Sequence, residues 1–144
     1  MKAIHVMDAS GQQTRRGDTL MLAARVLLMI LFLISGVGKL VHFGLTVTQM
    51  AHYGLPLPLL AAVIAVIMEV PIAIAFVLGI YTRPLAALLA LYTLAAAFIG
   101  HHYWTLAGPE RLGNMIHFYK NIAIVGGLLQ VWGTGGGRYA LDRR

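Results

Sequence analysis

Residues 20–39 read LMLAARVLLMILFLISGVGK. Only two charges interrupt them, Arg25 and Lys39. A helix of about 20 residues, at about 1.5 Å each, matches the hydrocarbon thickness of a bilayer. The run is too long for a signal-peptide core, and no small-x-small cleavage site with a polar mature start follows it. It therefore reads as a retained first transmembrane helix. Three more apolar runs follow, at about 57–80, 84–100 and 115–132. Turn signals separate them: Pro56-Leu57-Pro58, then Tyr81-Thr82-Arg83-Pro84, then the polar stretch around Gly108, Pro109, Glu110 and Arg111. The linker from Leu40 to Pro56 is amphipathic, with Gln49, His52 and Tyr53, and suits a short interfacial helix.

The whole chain supports this reading. It has 144 residues, 59% hydrophobic and 11% charged, with a mean hydropathy of +0.78. Soluble domains carry roughly 25% charged residues, and small ones bury only about two-thirds of their unfolded surface. A soluble enzyme and a disordered chain are both excluded by that arithmetic. The expected architecture is an all-α membrane protein, four transmembrane helices in an antiparallel bundle. Residues 1–19 form a polar N-terminus, 20–133 the transmembrane domain and 134–144 a basic tail.

The net charge of +6 sets orientation rather than ligand choice. Lys2, Arg15, Arg16, Arg83, Arg138, Arg143 and Arg144 fall on one predicted side; Arg111 and Lys39 fall on the other. The positive-inside rule then places both termini in the cytoplasm. A nucleic-acid partner is not implied. There are no cysteines, which removes disulfides, thiolate metal sites and any thiol redox cycle of the chain's own.

A few charges remain inside the predicted spans, where each costs at least ~2.5 kcal/mol near the centre. They are Arg25, Lys39, Glu69 and Lys120, with Asn121 beside the last. Arg25 and Lys39 fall within about 40° of one helix face, about 21 Å apart along the axis. Glu69 lies at a depth between them, so Arg25, Lys39 and Lys120 are its candidate partners. The expectation is a pair across the bundle, with Lys39 and Lys120 approaching from the outer half. Such a set serves equally as structural glue that fixes register. Pro71, two residues after Glu69, is expected to kink the second helix.

Five of the six histidines fall on the predicted outer half, and His5 is the exception. His117, Lys120 and Asn121 share one face of the fourth helix by their i, i+3, i+4 spacing. With Lys39, Glu69, His101, Tyr103 and Trp104 they are expected to line an outward-opening polar pocket. No histidine pair has a diagnostic metal spacing, so no metal site is assigned. Hydrogen-bond donors beside an apolar wall suit a quinone-type ligand, though ordinary interfacial residues supply the same groups. Gly36, Gly38, Gly126 and Gly127 are expected to let helices approach closely.

An ordered set of short motifs resembles the DoxX family of bacterial membrane proteins. It comprises Arg25 to Ser35-Gly36-Val37-Gly38-Lys39, Gly54-Leu55-Pro56, Glu69, and Gly79-Ile80-Tyr81-Thr82-Arg83. His117-Phe118-Tyr119-Lys120-Asn121, Gly126-Gly127-Leu128-Leu129 and Gly137-Arg138-Tyr139-Ala140-Leu141-Asp142 complete it. The family ending is commonly Arg-Tyr-Ser-Leu-Asp, from which Ala140 departs. The resemblance covers about residues 20–144 and implies a four-helix fold in the bacterial inner membrane. The family's polar positions carry over to Arg25, Lys39, Glu69, Arg83, Lys120 and Asn121. It further implies a subunit of a membrane oxidoreductase system, linked to quinone and to a redox partner protein. In that role Glu69, Lys39 and Lys120 would be the catalytic set, and His117, Asn121, Arg25, His101, Tyr103 and Trp104 would bind ligand. Two other functions stay open: a scaffold or assembly factor for membrane proteins, and a carrier of protons or small solutes. Small-residue faces also suit a homo-oligomer.

Overall fold

A computed structural model describes the backbone of residues 3–142 and the side chains of residues 15–142. All regular structure among them is helical. Helix α1 runs Ala3–Val41 and α2 runs Phe43–His52, the latter inside the expected linker. Helix α3 runs Pro58–Leu78, α4 runs Thr82–Gly100 and α5 runs Gly108–Thr134. A 3-10 turn, Tyr103–Thr105, precedes α5.

Local chemistry explains the boundaries. Pro58 opens α3, where a missing N–H costs nothing. Gly79 closes it in the left-handed region, at φ 76°, where a side chain would be strained. Tyr81 follows at φ 47°, and these two residues reverse the chain into α4.

Three stretches are long and apolar enough to cross a bilayer: Arg15–Val41, Pro58–Leu78 and Thr82–Thr105. The fourth apolar run lies within α5, which is 27 residues long. Its His117, Lys120, Asn121 and Gln130 leave it less apolar than the other three. At most a third of each spanning window is buried inside the bundle. Leu27, Ile34 and Leu91 are each about two-thirds exposed. Water does not tolerate so large an apolar exterior, and lipid does.

Helices α4 and α5 pack along most of their length, and α1 lies against α3 and α5. Met29, Phe32, Phe76, Leu89, Leu128 and Val131 fill the centre. At one end the tail folds back over the α3–α4 turn. The Leu141 amide donates to the Leu78 carbonyl at 3.2 Å, and the Asp142 amide to the Gly79 carbonyl at 2.9 Å. The Arg138 amide donates to Asp18 Oδ1 at 2.9 Å. Arg15, Arg16, Arg83 and Arg138 thereby gather at this end. Lys2, Arg143 and Arg144 of the charge count lie outside the described residues, and so does the His5 side chain.

Asp142 also caps α4, accepting from the Thr82 amide at 3.0 Å and the Thr82 hydroxyl at 3.1 Å. Replacing it with alanine is expected to cost about 1 kcal/mol, the usual worth of an N-terminal cap. Tryptic cleavage after Arg138 should then quicken, as read by mass spectrometry. An unchanged cleavage rate would show that the backbone bonds alone hold the tail.

Candidate functional site

The site begins where α1 and α3 touch. A Cβ on Gly36 would lie 2.7 Å from Glu69 Cβ and 2.9 Å from the Glu69 carbonyl carbon. Only glycine permits that approach, and it brings the backbone of α3 against α1 one turn below Lys39. Pro71 has no N–H to donate to the Ile67 carbonyl, so the helix cannot close an ordinary turn there. Met68–Ile72 are wound as a π turn. The disturbance expected at Pro71 thus takes the form of a widened turn, and that turn carries Glu69. Such π turns are rare and concentrate at functional sites.

Glu69 is nearly buried, its side chain 9% exposed, and Lys39 is 22% exposed. Lys39 Nζ donates to Glu69 Oε2 at 2.6 Å and to Ser35 Oγ at 2.5 Å. Tyr92 of α4 donates its hydroxyl to Glu69 Oε1 at 2.5 Å. Both carboxylate oxygens are therefore engaged, by helices α1 and α4 at once. A carboxylate so placed in an apolar surround needs both.

This cluster lines a cavity of about 730 Å³. Leu31, Phe32, Ile64, Ile99 and Ile124 supply much of its apolar wall. Helix α2 and its two flanking residues close one side with His42, Thr46, Gln49 and Tyr53. Helix α5 contributes Lys120 and Asn121, and His101 comes from the end of α4. The volume lies within the usual range for small-molecule sites.

Of the residues singled out in the sequence, Lys39, Glu69, Lys120, Asn121 and His101 meet at this cavity. His117 stands behind them: its ring stacks on His101 at 5.1 Å, and its Nδ1 accepts from Lys120 Nζ at 3.0 Å. Lys120 thus bonds His117 rather than Glu69. Tyr103 and Trp104 lie outside the cavity lining, in an aromatic cluster with Phe98, Phe118 and Tyr119. Arg25 also lies elsewhere. It is fully buried near the opposite end, its Nη1 3.5 Å from the Phe76 carbonyl oxygen and in contact with Gly79. Its distance along α1 from Lys39 keeps it from Glu69.

Ser35 and Tyr92 escaped the sequence reading as partners of the ion pair. The signal for Tyr92 was present, since a hydroxyl in mid-span needs an acceptor. The glycines divide. Gly36 and Gly127 sit in close helix contacts, Gly127 against Leu28. Gly38 and Gly126 face open space, and Gly38 lines the cavity.

Membrane-length helices around a part-buried lysine–glutamate pair and a largely apolar cavity define a polytopic helical membrane protein. The model of the DoxX family matches residues 20–102. The chain is 51% identical to inner membrane protein YphA of Escherichia coli K12 over 125 residues, 87% of this chain and 89% of that protein. It is 36% identical to inner membrane protein YqjF of the same organism over 126 residues, 88% and 92% of the two chains. No solved structure matches. The chain belongs to the DoxX family.

Proposed function

We propose that this chain is an inner-membrane subunit of an oxidoreductase system and binds a quinone, or a similar lipophilic redox molecule, in its cavity. One observation carries the reading. The Lys39–Glu69–Tyr92 cluster lies at the wall of a cavity that is otherwise largely apolar. Lys39 has three donors and gives two to Ser35 and Glu69, leaving one for a ligand carbonyl. Lys120, Asn121 and His101 supply donors for a second carbonyl. Glu69 and Tyr92 form a ready path for a proton to or from the bound ring. Electrons come from a partner protein or a bound cofactor.

The proposal includes four spans with both termini in the cytoplasm, α5 being the fourth. The gathering of Arg15, Arg16, Arg83 and Arg138 at one end supports that orientation. The cavity lies toward the other end, among residues 38–55 and 99–101, and so opens outward.

The test is thermal unfolding of the protein in lipid nanodiscs with decylubiquinone or a menaquinone analogue. A bound quinone at 100 times its Kd should add about 2.7 kcal/mol of stability. Lys39→Arg should retain the effect and Lys39→Met should lose it. No stabilisation by either quinone in the wild-type protein would overturn the reading. A specific co-purifying membrane protein in that case would favour a scaffold instead.

A further inference from the structure

Two lysines line the cavity against one carboxylate. Lys39 takes that carboxylate for itself at 2.6 Å. Lys120 is left with His117, whose Nδ1 must offer its lone pair to accept the ammonium proton. That partner carries no negative charge. Among the described residues, no carboxylate lies within ion-pair distance of Lys120. Asn121 and His101 line the cavity beside it, and both carry donors. The cavity therefore holds an excess positive charge at its α4–α5 wall, next to apolar surface from Ile99 and Ile124. Lys120 is half-buried, and an anion beside it would be a charge-assisted hydrogen-bond partner at the edge of an apolar wall.

We propose that the cavity takes an amphiphile with an anionic head. Its carboxylate or phosphate sits at Lys120, Asn121 and His101, and its tail lies on the apolar wall. This goes beyond the quinone reading, because a quinone is uncharged. It rests on the charge balance of the lining, in which Lys39 takes Glu69 and Lys120 is left over, and it uses the same Lys120, Asn121 and His101 donors that the quinone reading gives to a second carbonyl, so the two ligands would compete there.

The experiment uses the full chain in nanodiscs of phosphatidylcholine, with binding read by thermal shift and native mass spectrometry. Four probes are compared: oleate with oleyl alcohol, and phosphatidic acid with diacylglycerol. At least one anion should bind about tenfold tighter than its uncharged counterpart, the worth of one charge-assisted hydrogen bond. Lys120→Gln should erase that preference and Lys120→Arg should keep it. Preference for oleate alone assigns a free fatty acid, and preference for phosphatidic acid a lipid headgroup. Equal binding of both members in both pairs would overturn the proposal. So would an undiminished anion preference in Lys120→Gln. A decylubiquinone arm run alongside reads the quinone proposal separately, so either can fail alone.

Discussion

Glu69→Gln should destabilise the protein by about 3 kcal/mol, near the lower end for breaking a buried ion pair. Two groups suffer together. Lys39 keeps its charge but loses the carboxylate, and only Ser35 Oγ remains as its partner. The Tyr92 hydroxyl exchanges a charged acceptor for a neutral one, which weakens its bond. The partial exposure of Lys39 limits the loss, because the freed ammonium reaches solvent or headgroup through the cavity. The double change Lys39→Met with Glu69→Leu should recover most of the stability, since apolar groups of similar volume need no partner. Unfolding in bicelles measures all of these variants. A Glu69→Gln protein within about 1 kcal/mol of wild type would show that the pair is not what joins α1 to α3.

The second large effect is expected at Gly36. Gly36→Val places a branched side chain where a bare Cβ already meets the backbone of Glu69. Backbone cannot swing aside as a side chain can, so α1 and α3 must separate. Overpacking of this kind costs about 3 kcal/mol, and here it also pulls Lys39 away from Glu69. Gly38→Ala is the control on the same helix. Nothing lies within 4 Å of its added Cβ, and alanine favours the helix by roughly 1 kcal/mol over glycine. The two substitutions should therefore differ in sign. Equal losses at both positions would mean that the close approach at Gly36 does not hold in the membrane.

The position of residues along each helix was legible in the sequence; their position around it was only partly so. Of the four expected spans, run lengths located the three stretches that are long and apolar enough to cross a bilayer, and the amphipathic linker pointed to helix α2 between the first two. The cost of charge in lipid singled out Lys39 and Glu69, and they meet. Arg25 shares the helix face of Lys39, yet its environment depends on Gly79 and on a tail more than 110 residues away. No local pattern encodes that contact. Tyr92 was missed because a tyrosine in an apolar run lowers hydropathy little, though its hydroxyl has to be satisfied. The four glycines look alike in sequence, and only the neighbouring helices distinguish those at contacts from those at open space. The π turn follows from Pro71, but the sequence indicates a disturbance without its form.

The tail at residues 135–142 bears on the order in which the protein comes together. Its Arg138 amide bonds to Asp18, 120 residues earlier. Ala140 packs against Gly79, which in turn contacts the buried Arg25. During synthesis α1 enters the bilayer long before these partners exist. Until they emerge, Arg25 lacks its cover and the start of α4 lacks its cap. The bundle's arginine-rich end is therefore finished last, after every helix has been made, and for that interval Arg25 depends on lipid headgroups or water to carry its charge.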